Sequence, residues 1–305
     1  MKLRLIVLVK QVPDTKNLTA EAMNEDGTVN RSALPAVFNP EDLNGLELAL
    51  WVRDCYGGHI TTVTMGPPMA GEVLREALYR GTDDVALVTD RRFAGADTLA
   101  TSYTLAQAVR KLGRFDIIFC GRQAIDGDTA QVGPQTAEKL GIPQVTCVKS
   151  FDYLDETGRI MVRRDIEMGF EQVLVPTPVL LTVTHTAANP RPPSAKRIMR
   201  YKRARSPSEL RLNLGKEDPS LSQEELGERV KQECLQLQKE GLLIRQLGAD
   251  DLDVSADRIG LTGSPTKVRQ IETVVLKGGD TRWIESTPEA VGNMVHQLVA
   301  EHTLG

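Results

Sequence analysis

Between Leu3 and Thr184, strand-length apolar runs alternate with helix-length amphipathic stretches, and this alternation narrows the folds open to the chain more than any other feature. Leu3 to Val9 is apolar apart from Arg4 and rich in β-branched residues. His59 to Met65, Val85 to Thr89, Phe115 to Cys120 and Pro178 to Thr184 repeat the pattern. Short apolar runs of this kind suit strands buried on both faces. The intervening stretches carry helical periodicity: Leu43, Leu46 and Leu50; then Val73, Leu74, Ala77 and Leu78; then Leu99, Tyr103, Ala106 and Val109. Their boundary signals agree. Asn39 is placed to cap the first helix, with Pro40 at its first position and Glu41 and Asp42 in its first turn. Asp97 is placed to cap the third, and Gly57-Gly58, Gly81 and Gly113 are stops. Strand, helix, strand in repetition predicts an α/β fold: a parallel sheet covered on both faces.

The stretch Gly121-Arg122-Gln123-Ala124-Ile125-Asp126-Gly127-Asp128-Thr129-Ala130-Gln131-Val132-Gly133-Pro134 follows one of those strands and leads into a helix-like segment, Gln135 to Leu140, stopped by Gly141. Strand, polar glycine-rich loop and helix together present backbone N–H groups to a phosphate; an ordinary βα turn fits the same residues. Neither a Gly-Lys-Ser/Thr loop nor GxGxxG is present. Pro134 would kink a helix already begun at Thr129, which leaves the start of that helix open. In parallel sheets ligands gather at the C-terminal strand ends near the point where strand order reverses. Three such ends here, Leu8 to Lys10, Met65-Gly66 and Gly121 onward, carry loops suited to a nucleotide.

Beyond Pro143 the pattern changes. Arg159 to Met168 and Glu171 to Val175 alternate polar and apolar residues around the turn Asp155 to Gly158, which predicts half-exposed antiparallel strands. Residues 11 to 38 form a long polar connection in which Glu25-Asp26-Gly27 reads as a turn of a small hairpin. Ala187 to Ser194 is a linker by composition. From Arg191 to Arg205 stand seven basic residues and no acidic one, either a docking segment for an acidic partner or a solvated basic stretch. Ser222 and Glu225 form a capping box flanked by the staple pair Leu221 and Leu226, and Thr287-Pro288-Glu289 opens a last helix. From about residue 190 the chain has apolar stripes but no sheet pattern, like an arm that completes its burial against this core or another subunit.

Several functions are disfavoured at this level. A net charge of −4 and 4% aromatic content argue against a general nucleic-acid binder. Cys55, Cys120, Cys147 and Cys234 are scattered, with no zinc spacing, and Cys120 reads as a small core residue. His59, His185, His296 and His302 lack ligand spacing, and His185, just past a strand end, is the one best placed for a role. With no hydrolase elbow or zinc motif, reactive chemistry would come from a bound cofactor. No stretch approaches the length of a membrane span, and a cytoplasmic location is expected.

Across about residues 1 to 205 the chain resembles the β subunits of electron-transfer flavoproteins. The likeness rests on Leu8-Val9-Lys10-Gln11-Val12-Pro13, Asn39-Pro40-Glu41-Asp42, Gly66-Pro67-Pro68, Gly121 to Asp126, and Asn189-Pro190-Arg191 through Ile198-Met199. The resemblance implies a Rossmann-like domain over residues 1–188, a partner-recognition loop and basic segment over 189–205, and a C-terminal arm over 206–305 packed on an FAD-bearing α subunit. It implies an adenine-nucleotide site formed by Leu8, Val9 and Lys10; Asn39, Pro40, Glu41 and Asp42; Met65 and Gly66; and the loop from Gly121 to Pro134. Within that loop it implicates Gly121, Arg122, Gln123, Asp126, Gly127, Asp128, Thr129, Ala130, Gln131, Val132, Gly133 and Pro134. Familiar members hold AMP there. Electron-bifurcating members hold a second FAD that takes hydride from NADH, passing one electron to ferredoxin or flavodoxin and the other through the α-subunit FAD to an acyl-CoA dehydrogenase-type enzyme. The sequence Asp126-Gly127-Asp128-Thr129-Ala130-Gln131 is similar to the bifurcating pattern, and Gly127 removes a carboxylate and a Cβ where a pyrophosphate must approach. The expectation is therefore FAD, with AMP as the alternative; a free-standing nucleotide-binding protein is a further one. Ala195 stands where mitochondrial-type members carry a large apolar anchor, so charge-led docking through Arg191, Lys196 and Arg197 is expected.

Overall fold

The computed structural model describes residues 2–14, 35–266 and 283–300. Its frame is a nine-stranded sheet. The first strand, β1 (Leu3–Val9), lies between β4 (Gly58–Met65) and β6 (Ile117–Gly121), parallel to both. From β4 the sheet continues to β5 (Asp84–Val88), parallel again. The chain therefore builds outward from β1 in one direction and then returns to add β6 on its other side, so strand order reverses at the β1–β6 junction. The connections are α1 (Pro40–Tyr56), α2 (Gly71–Arg80) and α3 (Thr98–Leu112), as the periodicity predicts. Asp97 caps α3 by accepting the Leu99 and Ala100 N–H groups.

Alternation along the central strands divides the core between two faces. Leu5, Val7 and Val9 point with Phe119 and Leu181 toward α1 and α2; Ile6 and Leu8 point with Ile118 and Leu180 toward Tyr103, Val109 and Ala137. Burial of both faces is why these strands read as continuous apolar runs rather than alternating ones.

After β6 come α4 (Val132–Leu140) and an antiparallel meander of β7 (Gln144–Leu154), β8 (Arg159–Ile166) and β9 (Gly169–Pro176). The chain then returns to the middle as β10 (Val179–Val183), which slots between β6 and β7 and is parallel to both. Long β7 is absent from the sequence reading because it serves two environments. Its first residues pair with buried β10 and its last with half-exposed β8, so neither apolar pattern persists along it.

At the two ends of the connection over residues 11 to 38, β2 (Gln11–Pro13) and β3 (Ala36–Phe38) pair antiparallel. The turn assigned to Glu25-Asp26-Gly27 lies outside the described residues, as does His302.

The segment from residue 190, expected as an arm that completes its burial against this core or another subunit, packs on the core and adds a strand to its sheet. α5 (Ala195–Tyr201) lies on α2, and α6 (Pro207–Glu217) packs with α7 (Gln223–Glu240). β11 (Arg245–Leu247) extends the main sheet beside β5, parallel to it. Three residues, only one of them buried, are too few to show a strand period. Residues 248 to 264 then close over α3: Ser255 N–H donates to the Tyr103 hydroxyl and the Asp97 N–H donates to Ser264 Oγ. The last helix, α8 (Pro288–Ala300), has no buried residue. Among the described residues, no helix is long and apolar enough to cross a membrane.

Candidate functional site at the strand-order reversal

The C-terminal ends of β1 and β6 meet at the reversal point, and the first turn of α1 is set between them. This turn supplies Asn39, Glu41 and Asp42, all buried despite their polarity. Buried polar side chains need partners, and here the partners are backbone groups of the two strand-end loops. Asp42 bridges the strands: Oδ2 accepts the Lys10 N–H and Oδ1 the Gly121 N–H, each at 2.8 Å. Burial pushes the Asp42 carboxyl up to about 7, against the opposing pull of those two N–H groups, the Asn39 side chain and the charge of Lys10.

Asn39 makes no side-chain cap for α1. Its Oδ1 accepts the Ile125 N–H at 3.2 Å and its Nδ2 donates to Gln123 O at 2.9 Å. The loop after β6 has partly buried backbone groups that would otherwise go unpaired, and their demand outweighs that of the helix end. Glu41 completes the set. Its Oε2 accepts the Gln123 N–H at 2.9 Å, and its Oε1 lies 3.1 Å from the Arg122 guanidinium and 3.9 Å from His185 Nδ1. Asn39, Glu41 and Asp42 therefore lie together at the strand-order reversal, with side chains turned onto the loops. Pro40 supplies the first residue of α1.

Leu8 and Val9 are buried core residues, so what β1 presents to the crevice is its end and Lys10. Lys10 Nζ sits 2.7 and 2.6 Å from the two carboxylate oxygens of Asp126. Val9 pairs with Thr64 in the neighbouring strand, which sets Met65 and Gly66 next in line beside Lys10.

The loop from Gly121 to Gln131 has two halves. Through Asp126 it is partly buried and tied to α1. Glycine is required at 121 because a Cβ there would lie 2.5 Å from Asp42 Oδ1 and 2.7 Å from Asp42 N. From Gly127 to Gln131 the chain is exposed. Asp128 and Ala130 adopt left-handed φ values of 48° and 53°, and Gln123 Nε2 donates to Asp128 Oδ1 at 2.8 Å. Among the described residues, and apart from its chain neighbours, no protein atom lies within 4 Å of a Cβ built at Gly127, so none of them demands glycine there.

The loop runs into α4, which starts at Val132 and not at Gln135 or Thr129. Pro134 lies in its first turn, where a missing N–H removes only a donor that has no intrahelical acceptor. Gly133 lies against β6 and β10, and a Cβ there would meet Cys120 Sγ at 2.8 Å. Burial pushes the Cys120 thiol far up, which suits a core residue.

Two of the three cations expected to dock a partner, Arg191 and Arg197, also bind within the chain. Arg191 forms a two-pronged pair with Glu47 at 2.9 and 3.0 Å and reaches Asp54 at 3.0 Å. Arg197 donates to the Leu78 and Thr82 carbonyls at the end of α2. Both anchor the segment to the core. Ala195 and Lys196 are exposed at the start of α5, and Arg200, Lys202 and Arg203 are exposed beyond them.

Comparison with known proteins gives the family of the chain. Residues 26–206 match the electron transfer flavoprotein domain family. The chain is 41% identical over 300 residues to electron transfer flavoprotein subunit beta of Clostridium acetobutylicum, covering 98% of this chain and 99% of that one. It is 38% identical to acryloyl-CoA reductase electron transfer subunit gamma of Anaerotignum propionicum, covering 99% and 100%. It is 36% identical to caffeyl-CoA reductase-Etf complex subunit CarD of Acetobacterium woodii, again covering 99% and 100%.

Proposed function

Because the chain belongs to the electron-transfer flavoprotein β-subunit family, we propose that it holds an FAD at the β1–β6 reversal and works beside an FAD-bearing α subunit. The observation that carries this reading is the exposed half of the 121–134 loop. Its backbone is free of side-chain crowding at Gly127 and leads directly to the N-terminal amides of α4. Lys10 and Arg122 add cationic groups at the two strand ends, paired with Asp126 and Glu41. Such a surface suits a diphosphate, and that feature separates FAD from AMP.

Bound there, FAD would supply two-electron acceptance from NADH and one-electron delivery to two acceptors, ferredoxin or flavodoxin on one path and the α-subunit flavin on the other. The residues of this chain position and enclose it. Asn39, Glu41 and Asp42 hold the two strand-end loops in register, Gly127 to Gln131 receive the phosphates, and Gly133 lets α4 come close to the sheet. The relatives named for acryloyl-CoA reductase and the caffeyl-CoA reductase complex support an enzyme of the acyl-CoA dehydrogenase type as final partner. The exposed basic residues around α5 are the surface offered to it, and α8 is offered to the α subunit. A cytoplasmic location belongs to the same reading.

The test is the nucleotide content of the purified heterodimer, read by chromatography with a flavin spectrum. Two FAD and no AMP are expected; one FAD with one AMP overturns the reading and leaves this chain as the scaffold of a single-flavin carrier.

A further inference from the structure

Lys10 stands at the reversal point with both backbone polar groups engaged. Its N–H donates to Asp42 at 2.8 Å and its C=O accepts the Asn39 N–H at 3.0 Å. The side chain therefore swings from a fixed origin. Asp126 is also carried on a fixed base, since Asn39 holds Gln123 and Ile125, and the following turn closes when Asp128 N–H donates to Ala124 O at 2.9 Å. From these two anchors an ammonium and a carboxylate meet across the mouth of the crevice, Nζ between both oxygens at 2.7 and 2.6 Å.

The pair does little for stability. Its side chains are 47% and 21% exposed, and ion pairs of that kind contribute about 0–1 kcal/mol. The rigid work of joining the loops is done by Asn39, Glu41 and Asp42. The flexible lysine stem also lets Nζ leave Asp126 with little resistance. Asp42 and Asp126 are the carboxylates that act on it, Asp128 follows two residues along the same loop, and Glu41 is already matched by Arg122. An anion arriving at the exposed loop meets carboxylates unless a cation turns toward it.

Resting on the nucleotide-site reading above, we infer that Asp126 stands in for a ligand phosphate, occupying Lys10 until a diphosphate-bearing nucleotide takes the ammonium from it. The exchange is one ion pair for another, so the empty crevice stays neutralised and the loop keeps its shape in both states. Asp126 is then a competitor of the ligand, which is the reverse of what a loop-fixing or ribose-binding carboxylate would be. The two roles predict opposite signs for the same substitution.

The experiment measures ADP and FAD affinity of the full-length chain by titration calorimetry at low and high salt. It compares wild type, Asp126→Asn, Lys10→Met and the double variant. Asp126→Asn is expected to tighten binding roughly two- to fivefold, the range of a partly exposed ion pair, and Lys10→Met to weaken it. In the Lys10→Met background Asp126→Asn is expected to change nothing, because the coupling between the two residues is the quantity the cycle isolates. Weaker or unchanged binding by Asp126→Asn overturns the inference. A gain that persists without Lys10 also overturns it, since that result is general charge relief. A wild-type chain that binds neither ADP nor FAD overturns the nucleotide site itself.

Discussion

A Cβ added at Gly121 would press on Asp42 Oδ1 at 2.5 Å and on Asp42 N at 2.7 Å, whereas one added at Gly127 would meet no atom of the other described residues beyond its chain neighbours within 4 Å. The two glycines of one loop thus answer to different demands. Gly121→Ala forces the N-terminus of α1 off β6 and is expected to cost about 1–3 kcal/mol in denaturant unfolding, the usual toll of overpacking. Gly127→Ala is expected to stay within about 0.5 kcal/mol of wild type and to lower nucleotide retention in the purified complex. Asp42 adds a pH signature. With its folded pKa at about 7 and its unfolded value at 3.8, the folded chain binds more protons between those limits. Stability contributed by this group is then complete below pH 4 and is lost as pH rises through 7. The difference in unfolding free energy between wild type and Asp42→Asn should fall across that window and level off above it. A difference that is flat or rising with pH shows that the carboxyl is ionised throughout.

Elements whose boundaries are set by local chemistry were legible in the sequence; those set by distant partners were not. α3 and α7 begin where Asp97 and Ser222 mark them, and Ser222 with Glu225 forms the full capping box. α6 carries a signal of the same kind, Ser206 before Pro207 with the Ser206 hydroxyl accepting the Glu209 N–H. β7, β11 and the insertion of β10 between β6 and β7 depend on pairings that no sequence window contains. At the site, the residues of the α1 turn were legible as a group, but their direction was not. Asn39 could be read as a cap because the demand it answers arises more than eighty residues away, at Gln123 and Ile125. α6 is held by a buried pair: Arg75 of α2 donates to Glu209 at 2.9 and 2.8 Å and to Ala204 O at 3.1 Å. Glu209→Ala leaves that guanidinium buried without its main partner, an expected loss of about 3–5 kcal/mol. Hydrogen exchange should quicken from Ala204 through Glu217. Arg75→Met combined with Glu209→Leu is expected to recover most of the loss, because the charge that needs a partner is gone.

At the scale of the molecule, residues 190 to 266 are part of the same body as the sheet, while α8 is not covered by it. Val291, Met294, Val295 and Val299 are 44, 38, 43 and 52% exposed, and Trp283 just before the helix is 92% exposed. Apolar side chains gathered on one short helix, with a tryptophan beside them, are costly to leave in water. In the proposed complex the α subunit covers them. Tryptophan emission reports this directly, since an indole moved from water into an apolar contact emits at shorter wavelength. The chain holds two tryptophans, and Trp51 is itself 40% exposed and 6.2 Å from the Phe151 ring. The variant Trp51→Phe isolates Trp283 and keeps an aromatic ring against Phe151. Titrating that variant with the α subunit should shift its emission to the blue, saturating at one α subunit per chain. Emission that does not move while the heterodimer forms, as judged by size-exclusion chromatography, places the contact elsewhere and removes α8 from the interface.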